Sequence, residues 1–399
     1  MQKQIMKKPG RLERFLGIGA IVTLLIAWWI GYFRNGVDVV TLLSQALPEA
    51  DRFEKVNGST YAAFTPESDN PLAYVAVGES TGYGGPMKVA VAVDLQGSVI
   101  GLVVMDHKET PTWYERVLEN GFMERLPGRN YQDGFVIGED LDGVTGATYT
   151  SRAIASAVLQ ASRAVAGTQL GLPVPEESIP RIQFGLPEIT LIGLFAAGYF
   201  GHRQKFKYTP QLRWASMIIG LVVLGFIYTR PLTLSDVSKF LMGFWPQWQT
   251  NLYWYILIGG ILFAFTVDNK NPYCEWFCPF GAAQECMGAV AGARAVSPGR
   301  FKIFLKWLQR GLAWLALMLA LLFRNPGLTS YEVFGTFFDL EGNTLQFALL
   351  ILVLVVSLFV RRPWCHYLCP LRPVTDFYRF LRNWIIESWN LIREKQSAQ

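Results

Sequence analysis

The chain has 399 residues, 51% of them apolar and 14% aromatic but only 17% charged, which excludes a disordered or fibrous protein and argues against one soluble domain. The net charge of +5 divides unevenly: residues 36–185 carry 19 Asp/Glu against 10 Lys/Arg, and the remainder carries 26 Lys/Arg against 12 Asp/Glu. Such a split points to two environments, and without an aromatic-interleaved basic stripe no nucleic-acid partner is expected.

The first element is an apolar run at 15–33, FLGIGAIVTLLIAWWIGYF. It is longer than a signal-peptide core and is followed by Arg34-Asn35-Gly36, not by a small-residue cleavage site. It therefore reads as a retained transmembrane anchor, with residues 1–35 forming a cytoplasmic N-terminus plus that anchor.

Segment 36–185 alternates as an α+β domain does. Ala73–Val77 and Lys88–Val93 read as strands joined through Gly82-Tyr83-Gly84-Gly85-Pro86, and Gly97 turns the chain into a third strand over Val99–Met105. A helix is expected at Thr112–Asn120, a short strand at Phe135–Ile137, and a helix at Arg152–Ala166. Just before that last helix stands Asp142-Gly143-Val144-Thr145-Gly146-Ala147-Thr148-Tyr149-Thr150-Ser151. Its hydroxyls and glycines read in two ways: as a capped helix start, or as an anion site on free amides and the helix dipole.

The stretch from Asp142 to Thr148 resembles the flavinylation signature of FMN-binding domains in sodium-pumping and Rnf-type redox complexes. Gly82–Pro86 and Glu109-Thr110-Pro111 resemble that domain's two other recurrent stretches. The resemblance implies FMN bound covalently by a phosphoester to Thr148, with Thr150 as the fallback attachment site. It implies Asp142 as part of the sequence read by a flavin transferase. Thr145, Gly146, Ala147, Tyr83, Gly84, Glu109 and Thr110 would complete the cofactor site. The family's usual Gly after Glu-Thr-Pro is Thr112 here.

Five further apolar runs follow, at about 186–201, 212–229, 251–267, 303–323 and 345–361; the run at 186–201 is the weakest, being short and holding Glu188. Segments 1–14, 202–213, 268–310 and 361–399 carry 22 Lys/Arg, whereas the loops 230–250 and 324–344 carry three. The positive-inside rule then places both termini in the cytoplasm and the acidic 36–185 domain in the periplasm, across a cell inner membrane. Phe244-Trp245-Pro246-Gln247-Trp248 reads as an interfacial aromatic belt or the border of a quinol pocket.

Pro272-Tyr273-Cys274-Glu275-Trp276-Phe277-Cys278-Pro279 is repeated 91 residues later as Pro363-Trp364-Cys365-His366-Tyr367-Leu368-Cys369-Pro370, each copy ending a pair of predicted spans. Two hairpins in one orientation imply a parallel internal repeat that would bring the Cys pairs together. Four thiolates, Cys274, Cys278, Cys365 and Cys369, suit an iron–sulfur cluster or a tetrahedral metal; the bland alternative is small apolar residues at helix ends. Cys286 reads as a packed thiol. His366 has Glu275 at the equivalent place, so a symmetric site does not require it.

The repeated Cys-x-x-x-Cys-Pro motif resembles the membrane module of the NosR/NirI/NapH group. Together with the FMN domain it narrows to NosR-like proteins, including truncated RdhC/PceC-type members that lack a C-terminal ferredoxin domain. The expected architecture is an α+β FMN-binding domain (36–185) inserted after the first of six transmembrane helices, an all-α five-helix membrane module (186–375), and an amphipathic cytoplasmic tail (376–399). The expected function is transmembrane electron transfer. Electrons would pass from quinol or a cytoplasmic donor, through a [4Fe–4S] or [2Fe–2S] site and FMN, to a periplasmic reductase or electron carrier. The chemistry would then lie in cofactors, with no catalytic side chain of its own. The other reading is a redox-sensing regulator or maturation factor for an exported enzyme. A hydrocarbon core of about 30 Å separates inner cysteines from an outer flavin, too far for one efficient hop, so a deeper cluster or a quinone is needed.

Overall fold

The computed structural model describes residues 11–34, 39–176, 181–203, 207–296, 299–329, 331–340 and 342–397. The N-terminal residues 1–10 and parts of the predicted junctions at 35–38 and 177–180 lie outside the described residues. The first apolar run is helix α1 (Arg11–Phe33), followed by a short α2 (Val39–Ala46).

Next comes a five-stranded antiparallel meander in the order β1 (Arg52–Asn57), β2 (Thr60–Phe64), β3 (Ala73–Thr81), β4 (Pro86–Val93) and β5 (Val99–Asp106). Strand β4 is almost continuously apolar because both its faces are covered. Met87, Val89, Val91 and Val93 join one core, while Ala90 and Ala92 join another with Leu43, Ala46 and Leu47 of α2. Alternate residues of a strand point to opposite faces, so one run serves two cores. The first of these cores is completed by α3 (Pro111–Glu119) and α4 (Thr148–Thr168), the latter lying across β3 and β4.

Two expectations change here. Phe135–Ile137 is not a strand: Phe135 has φ +53°, and Asp140 accepts from the amides of Phe135 and Val136 at 2.8 and 2.5 Å, closing a loop. Helix α4 starts at Thr148, so Thr148–Ser151 form its first turn. Elements α2, β1 and β2 were not anticipated.

The rest is helical: α5 (Leu186–Arg203), α6 (Thr209–Ile219) continued by a π-helical segment (Gly220–Ile227), α7 (Leu234–Leu241) and α8 (Leu252–Asp268). A π turn (Tyr273–Phe277) leads to α9 (Pro279–Ala291), then α10 (Lys302–Phe323), α11 (Phe334–Phe338), α12 (Thr344–Phe359), α13 (Pro363–Tyr367) and α14 (Leu371–Ser397). Every predicted apolar run is thus a helix. Phe15–Phe33, Thr209–Ile227 and Gly299–Phe323 are long and apolar enough to cross a membrane; Leu186–Gly201, Leu252–Asp268 and Thr344–Phe359 are shorter apolar helices.

Helix α1 orders the ends of this assembly. Its Gly17 faces Phe380 of α14, whereas Tyr32 lies under the Arg324 guanidinium, which also covers Phe244. Phe244 in turn touches Gly85 of the sheet domain. The sheet domain and α14 therefore occupy opposite ends. Helix α14 begins at Leu371, five residues before the expected tail, and Arg382 ties it to the Thr266 carbonyl at the end of α8.

Candidate functional site

One buried carboxylate joins the three stretches singled out in the sheet domain. Glu109 is fully buried; its Oε1 accepts the Gly84 amide at 3.0 Å and its Oε2 accepts the Thr150 hydroxyl at 2.6 Å. The Gly82–Gly85 loop, the start of α3 and the first turn of α4 are thereby held together. The loop needs glycine because a Cβ on Gly84 would lie 1.7 Å from the Lys108 carbonyl oxygen.

Burial pushes the Glu109 carboxyl upward, while the Thr150 and Gly84 hydrogen bonds oppose that rise. The folded domain therefore holds this proton more tightly than the unfolded chain. The stability it contributes is fully present below the ordinary carboxylate range and declines as pH rises through the raised value. Glu109→Gln is expected to cost about 1–3 kcal/mol at neutral pH, because two donors then face one acceptor and an NH2 group. Denaturant titration of both proteins across pH checks this, with the slope that Glu109 causes absent from the variant.

The two threonines of the motif part company on this framework. Thr150 is buried and committed to Glu109, whereas Thr148 is exposed at the N-terminus of a 21-residue helix, with a long 3.5 Å bond to the Val144 carbonyl. Thr148 opens into a cavity of about 310 Å³ between the sheet domain and the helical part, at the lower end of the small-molecule range. One wall is Thr81, Gly82, Tyr83, Gly85, Trp113 and Gly146–Thr150; the other is Tyr228–Pro231, Lys239, Phe240, Phe244, Pro246, Asn251, Trp254 and Asp339. Tyr83 packs edge-on against Trp113 at 4.3 Å and lies 6.3 Å from Tyr149. An aromatic wall, an exposed hydroxyl at a helix N-terminus and cationic Arg230 and Lys239 fit a flavin phosphate.

Of the residues expected to bind the cofactor, Tyr83, Gly146, Ala147, Thr148 and Thr150 line this cavity, and Gly84, Glu109 and Thr110 stand outside its lining. Thr145 is exposed elsewhere. Asp142 lines a separate cavity with Arg125 and Arg129, and its carbonyl accepts from Arg125 at 2.9 Å. Phe244 and Pro246 of the Trp-rich stretch are part of the cavity wall, while Trp245 and Trp248 are exposed.

The two Cys motifs share one backbone device. Cys278 N–H donates to the Tyr273 carbonyl at 2.7 Å and Cys369 N–H to the Trp364 carbonyl at 2.8 Å, both five residues back. Each second cysteine therefore lies just past its helical turn, not on it. The motifs are clamped together by residues the sequence did not single out. Gln284 is fully buried; it accepts from the Trp364 amide at 3.0 Å and donates to Cys365 Sγ at 3.3 Å. Glu285 takes both nitrogens of Arg213 at 3.0 and 2.7 Å and also binds Arg361 and Arg362. Arg362 donates to the Cys274 carbonyl at 2.9 Å, and Asn271, at the equivalent place in the first motif, donates to Cys274 Sγ at 3.0 Å. A polar residue before each Pro-aromatic-Cys was the legible signal for the last two.

All four motif thiols lie within electrostatic reach of one another. A tetrahedral ion with metal–sulfur bonds of about 2.3 Å needs sulfurs about 3.8 Å apart. Among the described residues, no three His, Cys, Asp or Glu side chains gather as a single ion requires. A cluster binds each thiolate through a different iron, and four neighbouring thiols, with side-chain amide donors on the sulfurs of Cys274 and Cys365, fit that larger group. His366 is exposed and bonded to the Arg362 carbonyl, and Cys286 is half-buried.

The first Cys motif also contacts the 230–250 segment and α11. Tyr273, adjoining Cys274, accepts the Leu232 amide at 2.8 Å, and Phe280 packs on Phe334 of α11 at 5.0 Å. The helix that carries Leu224 widens into its π segment here, where a Cβ on Gly220 would meet the Phe277 carbonyl at 2.4 Å.

Residues 82–163 match the FMN-binding domain family, and residues 250–301 and 343–387 match a 4Fe–4S binding domain family. The fold and these matches define an electron-transfer protein with an FMN-binding domain and a two-part 4Fe–4S-binding region. It is a distant homologue of NosR, of NirI and of the RnfG-type components of ion-translocating redox complexes. One such component, from the proton-translocating ferredoxin:NAD(+) oxidoreductase complex of Clostridium ljungdahlii, is 32% identical over 119 residues, covering 28% of this chain and 64% of that protein. The chain is 29% identical to the regulatory protein NosR of Pseudomonas aeruginosa and 30% to NirI of Paracoccus denitrificans, each over 47% of its own length. It spans 28% and 30% of those two proteins.

Proposed function

We propose that the protein is an inner-membrane electron conduit in which a [4Fe–4S] cluster on Cys274, Cys278, Cys365 and Cys369 exchanges electrons with FMN esterified to Thr148. In this reading residues 1–35 are the anchor, 36–185 the periplasmic flavin domain, 186–375 the membrane module and 376–399 the inner tail. All six apolar helices span the bilayer, the three shorter ones within the packed module. The matching five-residue backbone bonds of the two Cys motifs support a parallel repeat. A flavin transferase would mature the protein, quinol or a cytoplasmic donor would reduce it, and a periplasmic reductase or carrier would accept the electrons.

One observation carries this reading. Leu232 N–H donates to the Tyr273 hydroxyl at 2.8 Å and Tyr253 donates to the Arg230 carbonyl at 2.9 Å. Tyr273 adjoins Cys274, and Arg230 lines the cavity at Thr148. The route from cysteine to cavity wall thus crosses one hydrogen bond and a few residues of chain, which supports electron passage between the two sites. When bound, cluster and flavin supply the redox chemistry, while the chain supplies position and local charge.

Anoxic mixing of the purified full chain with quinol is expected to bleach the flavin absorbance, and the Cys365→Ser protein is expected to stay oxidised. Equal bleaching in both would remove the cysteines from the route. The regulatory reading, favoured by the name of the NosR relative, predicts a flavin that quinol leaves oxidised even in the unaltered protein.

A further inference from the structure

We infer that the flavin site is bipartite, and that Arg230, just past the π segment, and Lys239, on α7, bind the flavin and favour its acceptance of electrons. This rests on the placement of FMN at Thr148 proposed above. The Arg230 guanidinium donates to the Tyr149 hydroxyl at 2.5 Å, next in sequence to the attachment hydroxyl. It also lies over the Tyr149 ring at 5.8 Å. Lys239 Nζ donates to the Tyr83 carbonyl at 2.9 Å and lies 4.8 Å above the Tyr83 ring and 5.8 Å from the Trp254 ring. The two cations therefore flank the aromatic wall from the side that the flavin domain itself cannot supply.

The charge is held in place. Lys239 is paired with Asp236 at 2.8 Å, and Asp236 closes a capping box with Thr233 at the start of α7. Arg230 has its carbonyl fixed by Tyr253. Asp339 also lines the cavity. The FMN phosphate is an anion and the isoalloxazine gains negative charge on reduction, so cations held in a partly dehydrated cleft strengthen both interactions. Docking the flavin domain on this segment would then complete the site and bring the flavin to the end of the route from the cysteines.

The test uses the full chain in detergent or nanodiscs. Lys239→Met and Arg230→Met are each expected to retain covalent flavin. Their preference for the reduced over the oxidised flavin should fall about tenfold, which is about 30 mV more negative for a two-electron couple. Lys239→Arg, which keeps the charge beside Asp236, is expected to restore most of the potential. In a Thr148→Val background, free FMN is expected to bind about tenfold more weakly when either cation is removed, read by titration of flavin fluorescence. An unchanged potential and unchanged FMN affinity in both Met variants would overturn the inference. Should the unaltered protein carry no covalent flavin, attachment at Thr148 fails, and the FMN titration alone still decides the role of the two cations.

Discussion

Thr148→Val is expected to abolish covalent flavin completely, whereas Thr150→Val is expected to keep it. Both threonines stand in the first turn of α4 and reach the same cavity wall, but a rotation of about 200° between them gives their hydroxyls different surroundings. Thr150 faces inward, is 1% exposed, and spends its hydroxyl on Glu109 at 2.6 Å; a phosphate there would have to displace that bond and open the core. Thr148 faces the cavity. The Thr150→Val cost is thus one of stability, about 1–3 kcal/mol from leaving a buried carboxylate short of a donor. Fluorescence of the protein band after denaturing electrophoresis separates the two outcomes: flavin surviving in Thr148→Val, with Thr150 intact, would move the attachment site.

Cys274→Ser and Cys365→Ser are each expected to strip the protein of nearly all its iron and acid-labile sulfide. Serine offers a harder oxygen ligand in place of a soft thiolate, and a cluster that lacks one of its four protein ligands is not held through purification. The choice of one residue from each motif matters, because Gln284, Glu285 and Arg362 link the motifs through contacts of their own. Loss of iron in both variants therefore reports ligation across the two motifs, and the fold should persist by circular dichroism. Cys286→Ser, outside both motifs, is expected to keep full iron. Unchanged iron in Cys274→Ser or Cys365→Ser would sink the four-cysteine site.

Much of this was readable along the chain because the signals are local. The glycines of Gly82–Gly85 mark a turn that joins β3 to β4, and the β-branched, apolar run of β4 marks a strand. Six apolar runs mark six helices because a helix satisfies its own backbone groups wherever its side chains are apolar. The misses have local causes too. Phe135–Ile137 has a strand's composition, but Asp140 captures its amides, and that competition depends on a carboxylate several residues away folding back. Strand β1 was missed because it is largely exposed and carries charge, so it lacks the apolar run that β4 and β5 show.

Sequence alone determined which groups are present: a hydroxyl-rich motif at a helix start, two cysteine pairs in equivalent frames, and a charge balance that separates residues 36–185 from the rest. Tertiary structure decided which of them meet. Arg230 and Lys239 lie 81 and 156 residues from their partners Tyr149 and Tyr83, and no periodicity links positions so far apart. The same holds for Leu232 and Tyr273, 41 residues apart, whose hydrogen bond brings the cysteine motif close to the wall of the Thr148 cavity. Apolar burial is non-directional, so hydropathy can say that a segment is buried but not against which neighbour. That neighbour is chosen by close packing and by the few buried polar groups, Glu109, Gln284 and Glu285 among them, that must find partners.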